Sequence, residues 1–431
     1  MQPENEKRSE GPTAMLYRKY FRSKIVSLML ATVLFHVGVL TCEICYLRFA
    51  QHRLGRENIP GENKPLLEMM RNDNGVFRKQ KMLASRSIKL KMVGICSKIF
   101  DFFVVMSFFS HRIRNKVMEN IRTKKNVIRI NCSHIREADI NFMILVFFLI
   151  GLKNIVLAWA FSSILRPSDL MLNFLILVFR CFVIAPVMIW LFSSVYNKAR
   201  WGLVLCAYVA VVVLMYLANF TDIAVDNHDS YEIIPHKVFG KRLGDEIVRL
   251  NLKNKIFWDR SANFENAALV KTGASRYIVV VGDLIKYGEK EFLGFIAHEV
   301  GHADDLSTEK KLFYSIFTIG ITCAGILSTV YFLTPKYTSR GVSRFSVLAF
   351  VVLANTYIFS LITDMFQNNI GIHVEVNADI YAKTLGFGTA LGVGLYKLSA
   401  GSKTMMFHSP IYTHYLEDHP SIASRVGYLI K

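Results

Sequence analysis

Long apolar segments, each about as long as a membrane is thick, dominate this 431-residue chain. A helix that crosses a hydrocarbon core of about 30 Å needs about 20 apolar residues. Seven segments approach that length, and they lie near residues 25–47, 92–110, 140–163, 170–196, 202–220, 311–334 and 345–365. The mean hydropathy of +0.31 fits such segments better than one large soluble core. The sequence therefore predicts a membrane α-helical protein with seven transmembrane helices.

Two of these segments carry a charge near the middle, Lys153 in the third and Arg180 in the fourth. A charge that faces lipid at that depth costs several kcal/mol. Each side chain should therefore line an internal polar space or pair with an acid on a neighbouring helix, and the sequence leaves both alternatives open.

Basic residues are concentrated in the loops and give a formal net charge of +19. Residues 48–91 hold eleven Lys and Arg against four acids, and residues 111–138 hold eight against two. In a protein with several membrane spans, such loops indicate contact with anionic lipid headgroups rather than with nucleic acid. Because loops on both sides of the membrane are basic, charge alone does not fix the orientation of the protein in the membrane. The first segment is too long for a signal-peptide core and should be a retained anchor.

The stretch HEVGH, residues 298–302, combines two histidines and a glutamate on a predicted helix. Positions four residues apart project from the same helix face, so His298 and His302 can present two imidazole nitrogens to one ion. Zinc binds such nitrogens at about 2.0–2.1 Å. Glu299, one residue on, would lie beside the metal and accept a proton from a water that the metal activates. This is the H-E-x-x-H arrangement of zinc peptidases.

A third ligand is expected from GIHVEVNADIYAKTLGF, residues 371–387. Glu375 can complete a His-His-Glu site for one zinc ion per chain. Asp379, four residues later, can accept a hydrogen bond from a ligand imidazole and so fix its tautomer. His373 is a rival ligand, but on a helix it would face away from Glu375.

Near the end of the sequence, His419 precedes Pro420, and Arg425 follows on a short predicted helix. An imidazole and a guanidinium near zinc would suit the stabilisation of a tetrahedral oxyanion. A purely structural role for either side chain is an equal alternative.

The order of these three motifs and of the apolar segments around them resembles that of the integral-membrane CAAX prenyl proteases of type I. These seven-span zinc metalloendopeptidases are also called farnesylated-protein-converting enzymes. The likeness rests on the H-E-x-x-H motif after five spans, on Glu375-x-x-Ala378-Asp379 after two more, and on His419-Pro420 with Arg425. It also covers RSANFENAALV, where Asn266 and Ala267 would align the substrate backbone.

The resemblance implies a fold in which seven helices enclose a chamber, with a small α+β, zincin-like catalytic region. It implies Glu299 and His419 as catalytic residues, and Asp379 and Arg425 as supports for the ligands. The predicted organisation is a basic tail at 1–24, five spans at 25–220, a catalytic insert at 221–310, two spans at 311–365 and a C-terminal catalytic segment at 366–431.

The same resemblance implies an enzyme of the endoplasmic reticulum membrane or the nuclear envelope. Its partners would be membrane lipid and prenylated CAAX proteins, from which it removes the last three residues. Two other functions stay open. One is a short-type quality-control zinc protease of the membrane, which would carry about four spans. The other is a transporter or channel in which the histidine motif is incidental; a tightly bound zinc that is lost in His298→Ala would exclude it.

Overall fold

The computed structural model of the protein describes residues 12–61, 63–73, 75–109, 116, 119, 137–161, 167–199, 201–220, 231–261, 264–272, 275–339, 342–402 and 404–431. The helices are α1 (Pro12–Leu54), α2 (Lys64–Arg71), α3 (Val76–Phe109), α4 (Glu137–Phe161), α5 (Pro167–Phe179), α6 (Ala185–Ala199), α7 (Trp201–Phe220), α8 (Gly240–Arg249), α9 (Glu289–Asp304), α10 (Ser307–Thr338), α11 (Arg344–Ala354), α12 (Ser360–Thr384), α13 (Gly388–Gly401), α14 (Pro410–Leu416) and α15 (Ile422–Leu429). The strands are β1 (Tyr231–Ile233), β2 (Ile256–Asp259), β3 (Asn266–Thr272) and β4 (Ser275–Val281).

Five helical stretches in these described ranges are long and apolar enough to cross a membrane. They are Lys24–Leu54, Ile140–Leu157, Met171–Ser194, Ser307–Thr338 and Arg344–Thr384. The other two predicted segments, 92–110 and 202–220, overlap α3 and α7, and α7 contains a shorter apolar stretch at Leu205–Leu214. A mostly helical membrane fold is therefore confirmed, whereas the number seven stays a prediction.

The chain divides into two compact units, and the first consists of Met1–Gly38, Val93–Tyr208 and Ile319–Ile362. Aromatic side chains from α3, α10 and α11 form the centre of its apolar core. The rings of Phe108 and Phe350 stack with their centroids 3.7 Å apart, and the rings of Phe108 and Tyr337 stack with centroids 5.5 Å apart.

Lys153 and Arg180, the charges predicted inside apolar segments, meet different surroundings in this unit. Lys153 Nζ lies 2.5 Å from Asp101 Oδ1 of α3, and both side chains are nearly buried. The pairing alternative thus holds for this lysine. Arg180 is exposed and borders an apolar cavity of about 420 Å³.

The second unit consists of Val39–Met92, Val209–Thr318 and Thr363–Lys431. Its four-stranded sheet has the order β1-β2-β4-β3, with β2 and β4 parallel and the other two pairs antiparallel. β3 therefore lies at an edge of the sheet. The apolar side chains of the sheet form one core with α8, α9 and α13. In α8, Leu243 and Ile247 are buried, in agreement with the amphipathic pattern of the sequence.

The last apolar stretch and the predicted ligand Glu375 lie on one uninterrupted helical run, Arg344–Thr384. A π-helical turn, Asn355–Phe359, joins α11 to α12 within this run. The predicted domain limit at residue 365/366 thus falls inside α12, and the limit at 310/311 falls inside α10. At each limit a single helix continues from apolar into polar sequence without a break.

Candidate metal centre

The HEVGH motif forms the last turns of α9, a helix whose other face is apolar. Phe292 and Ile296 of this helix are buried in the core of the second unit. Acidic residues occupy its first turn, where they interact favourably with the positive end of the helix dipole. His298 and Glu299 are buried, and His302 is half-buried. Packing of α9 against the core therefore fixes the helix face from which the imidazoles of His298 and His302 project.

The two imidazoles and the carboxylate of Glu375 converge on one point. His298 Nε2 lies 3.1 Å from His302 Nε2. Glu375 Oε2 lies 3.3 Å from His298 Nε2, and its Oε1 lies 3.4 Å from His302 Nε2. Ligand atoms at about 2.05 Å from a tetrahedral zinc ion are about 3.3 Å apart. The donor types and their mutual distances therefore both fit zinc.

Asp379 lies next to the imidazole of His298. Its Oδ1 is 2.9 Å from His298 Nδ1. Arg425 donates to the same carboxylate twice, from Nε at 2.8 Å and from Nη2 at 2.7 Å. Tyr428 donates its hydroxyl to the carboxylate as well. Burial lowers the pKa of His298, but the contacts with Asp379 and Glu375 outweigh it and raise that pKa to about 9.

Glu299 is placed beside the three converging groups. Ligand atoms of His298, Glu299 and His302 all lie within 4.8 Å of one another. Glu375 approaches the imidazole nitrogens more closely than that, so it is the better candidate for the third ligand. Glu299 Oε2 instead accepts a hydrogen bond of 2.7 Å from the backbone N–H of Leu269 on β3. Burial raises the pKa of the Glu299 carboxyl.

His419 also contacts the centre, through the carboxylate of Glu375. Its Nε2 lies 3.3 Å from Glu375 Oε1, while its Nδ1 lies 2.7 Å from Asp418 Oδ1. The contacts with Asp418 and then Glu375 raise the pKa of His419 to about 9. About half of this side chain is exposed. The arrangement can present a ring N–H to a group bound near the metal position.

The free edge of β3 faces the same region. Leu269 donates its N–H to Glu299, and its cross-strand partner Ile278 donates to the carbonyl of Lys255. Neither N–H is used between β3 and β4, so Leu269 and Ile278 form a non-hydrogen-bonded pair. Because this pattern repeats every two residues, Ala267 also directs its N–H and C=O outwards.

A cavity of about 570 Å³ lies along this edge and contains the metal centre. Asn266 and Ala267 border the cavity together with the three proposed ligands. Asn266 is exposed, and its backbone pairs with Val281, so only its side chain is available to a bound peptide. The nine residues predicted as catalytic, ligand, supporting or substrate-binding are therefore gathered around one cavity or directly behind it, whereas the rival ligand His373 is exposed and does not line it.

Two supporting contacts of the centre could not be found from the motifs. Ser307, the first residue of α10, places its Oγ 3.2 Å from His302 Nδ1 and is buried. Tyr428 contacts Asp379 from α15. A serine five residues after the motif and a tyrosine three residues after Arg425 carry no spacing signal in a single sequence.

A close approach of two helices brings the two motifs together. A Cβ added to Gly301 of α9 would lie 3.0 Å from Ala378 Cα, 3.0 Å from Tyr381 Cβ and 3.1 Å from the carbonyl oxygen of Ala378. Gly301, between the two histidines, and Ala378, between Glu375 and Asp379, thus allow near-contact of the two backbones. This spacing sets how far Glu375 can be from the imidazoles.

Comparisons with known proteins agree with this geometry. Residues 247–431 match peptidase family M48. The chain is 25% identical over 178 residues to the Probable CAAX prenyl protease 1 of Schizosaccharomyces pombe. That alignment covers 39% of this chain and 36% of the relative, so the chain spans little more than a third of the curated relative's length.

The crystal structure of S. mikatae Ste24p matches with a TM-score of 0.59 at 16% identity, over 98% of this chain and 100% of that chain. This likeness shows the fold. A peptidase domain with a His-Glu-His cluster does not fit the interpretation as a transporter with an incidental motif. The match of residues 247–431 to peptidase family M48 and the similarity to a CAAX prenyl protease indicate a metalloprotease.

Proposed function

We propose that this protein is a zinc endopeptidase of the endoplasmic reticulum membrane that removes the last three residues of prenylated CAAX proteins. The match of residues 247–431 to peptidase family M48 and the five apolar helical stretches support the coarser part of this statement, a membrane metalloprotease. The substrate class is inferred from the name of the curated relative and from the likeness of sequence motifs. A short-type quality-control protease is the competing assignment.

One observation carries the proposal, namely the convergence of three segments that are remote in sequence. His298 and His302 come from α9, Glu375 comes from α12, and His419 comes from the turn before α15. An incidental pair of histidines would not gather a buried carboxylate at 3.3–3.4 Å and a second carboxylate behind the first imidazole. Such a supported ligand set is typical of catalytic zinc sites.

His298, His302 and Glu375 would hold the zinc ion. When bound, zinc supplies a Lewis acid that polarises a carbonyl and makes water a stronger nucleophile. Asp379 keeps the ring of His298 in one orientation, and Ser307 does the same for His302. Arg425 compensates the buried charge of Asp379, because its two donors take both carboxylate oxygens.

Glu299 is the proposed general base. Its carboxylate is buried next to the ligand atoms, where it would accept a proton from the attacking water and deliver it to the leaving amine. His419 would donate its Nε2–H to the oxyanion that develops on the substrate carbonyl. The Glu299 carboxylate would thus transfer a proton, and His419 Nε2 would share one in a hydrogen bond.

The edge of β3 would hold the substrate as an extended strand. Ala267 and Leu269 can offer their outward N–H and C=O groups to a peptide, which is the usual mode of strand addition. Asn266 would add its side-chain amide. A bound peptide would replace Glu299 as the partner of the Leu269 N–H, and its scissile bond would lie over the converging ligands.

The proposal is tested with purified protein and a farnesylated peptide that ends in a CAAX sequence. We expect release of the C-terminal tripeptide, with little cleavage of the same peptide without the farnesyl group. A chelator should abolish the reaction and zinc should restore it. Glu299→Gln should lose activity by at least about 10³-fold while it retains bound zinc.

Glu289→Gln is the matched control, because Glu289 lies on the same helix but is exposed at its first turn. This variant should cleave as well as the wild type. Equal cleavage of farnesylated and unmodified peptides would refute the substrate assignment and favour the quality-control function. Activity that survives in Glu299→Gln would refute the mechanism.

A further inference from the structure

The short segment 415–418 is attached to the helix that carries the proposed ligand Glu375. Asn368 of α12 donates its side-chain amide to the carbonyl of Tyr415, the first residue of this segment, at 3.0 Å. Gly371 lets the last residue of the segment come close, because a Cβ at this glycine would lie only 2.7 Å from that residue's carbonyl oxygen. Positions 368, 371 and 375 share one helix face. The segment is therefore held against the face from which Glu375 projects.

His419, which follows this segment, has its ring between two carboxylates. Its Nε2 lies 3.3 Å from Glu375 Oε1, and its Nδ1 lies 2.7 Å from Asp418 Oδ1. About half of the His419 side chain is exposed, so packing alone does not fix the ring. Among the described residues, these two polar contacts set the direction in which Nε2 points.

Only one of the two contacts can persist in the proposed reaction. The carboxylate of Glu375 would be engaged as a ligand of the metal. His419 Nε2 would exchange Glu375 Oε1 for the oxyanion that develops on the substrate. Asp418 is not among the proposed ligands, so its contact with Nδ1 can stay unchanged. The orientation of the ring then depends on Asp418.

The Asp418 carboxylate is itself restricted, although its side chain is largely exposed. A Cβ at Gly371 would lie 3.2 Å from Asp418 Cβ, so the start of this side chain lies directly against α12. Lys311 of α10 interacts electrostatically with the carboxylate, and both residues border a small cavity of about 200 Å³. The close packing of the backbone and the attraction of a cation together limit where the carboxylate can lie.

We infer that Asp418 is a positioning residue, which holds Nδ1 of His419 and thereby keeps Nε2 directed at the metal centre. The inference rests on the proposed function, because the oxyanion of the substrate is the group that His419 would meet there. It adds to the reaction a residue that acts only through another side chain.

The test compares Asp418→Ala with Asp418→Asn on a farnesylated CAAX peptide. Alanine releases the ring and should lower kcat about tenfold while KM changes less than about twofold, because the oxyanion is formed only in the transition state. Asparagine can meet Nδ1 as a donor or as an acceptor, so it should keep at least about half of the wild-type kcat.

A double-mutant cycle separates positioning from a general effect on the fold. His419→Ala should itself lower kcat by about 10²–10³. In that background Asp418→Ala should have no further effect, because the ring that it positions is absent. An effect through the fold would instead persist in the double variant.

Inhibitor binding gives a second measurement that does not depend on turnover. A phosphinate peptide carries a tetrahedral anion in place of the scissile amide, and its inhibition constant should rise about tenfold in Asp418→Ala. The inhibition constant of the cleavage product, which lacks this anion, should stay at the wild-type value. Zinc content is measured for all variants and should equal that of the wild type.

Asp245→Ala is the matched control, because Asp245 is an exposed acid of α8 that does not line the cavity. It should behave like the wild type in each assay. This comparison shows whether loss of a surface carboxylate by itself affects the reaction.

Three results would overturn the inference and leave the proposed function standing. They are a wild-type kcat in Asp418→Ala, equal losses in the alanine and asparagine variants, or an undiminished loss when Asp418→Ala is added to His419→Ala. If the wild type cleaves unmodified peptides as well as farnesylated ones, the proposed substrate class fails, and the same variants assayed on the unmodified peptide still decide the role of Asp418.

Discussion

Replacement of Gly301 by alanine should weaken zinc binding although it removes no ligand. The added methyl carbon would meet Ala378 Cα at 3.0 Å and its carbonyl oxygen at 3.1 Å. Non-bonded carbon atoms are at their energy minimum about 3.5–4.0 Å apart, so α9 and α12 must separate by about 0.5 Å or more. Metal sites tolerate deviations of only about 0.2 Å in ligand distance. We therefore expect the zinc affinity to fall by about 10–100-fold.

The effect on stability is smaller because two contributions oppose each other. Alanine in place of glycine within a helix stabilises by about 1 kcal/mol. Crowding of a well-packed interior costs about 1–3 kcal/mol. The metal-free variant should therefore lose about 0–2 kcal/mol of unfolding free energy. A large loss of zinc affinity with a small loss of stability is the expected combination.

The assay is competition with a chelator of known zinc affinity, together with thermal unfolding of the metal-free protein in detergent. Gly325→Ala is the control, because a Cβ at Gly325 of α10 would have no atom within 4 Å. This control should bind zinc like the wild type. If Gly301→Ala also binds zinc with wild-type affinity, the close crossing of the two helices does not set the ligand spacing.

Substitutions at three other positions test two contacts of the metal centre and one ion pair within the first unit. Ser307→Ala removes the partner of His302 Nδ1 and should lower zinc affinity about tenfold, while Ser307→Thr should keep it; unchanged affinity in the alanine variant would contradict an orienting role. Asp379→Asn should lower zinc affinity by about 10–100-fold in the same chelator assay, and a wild-type value would speak against the carboxylate as a support. Asp101→Asn leaves Lys153 buried without its charge partner and should cost about 3–5 kcal/mol in thermal unfolding, which Lys153→Met should partly restore; an unaltered unfolding temperature would show that the ion pair is dispensable.

Helix periodicity made much of the centre predictable. The spacing of His298, His302 and Glu299 on one predicted helix, and of Glu375 and Asp379 on another, translates directly into faces of α9 and α12. The stretch Tyr277–Val281 is rich in β-branched residues, which favour strands, and it lies in the inner strand β4. Patterns of this kind report local geometry, which a single sequence contains.

Contacts between segments that are distant in sequence were harder to predict. The choice of Asp101 as the partner of Lys153 depends on how α3 and α4 pack, and the sequence left that choice open. Tyr428 and Ser307 support the centre through single hydrogen bonds, and neither position differs from an ordinary surface residue in composition. The number seven stays a prediction, because α3 and α7 are not among the five stretches of the described residues that are long and apolar enough to cross.

The contact between Glu299 and the edge of the sheet couples the proposed base to substrate binding. Oε2 of the carboxylate that should take the proton accepts the Leu269 N–H, a donor that a bound peptide strand would need. Binding of the substrate backbone to the Leu269 N–H and release of Glu299 from that N–H would then be a single exchange of hydrogen-bond partners. A small ester without amide groups could enter the cavity but could not trigger that exchange, so the protease would discriminate against compounds that are not peptides even when they are chemically more reactive.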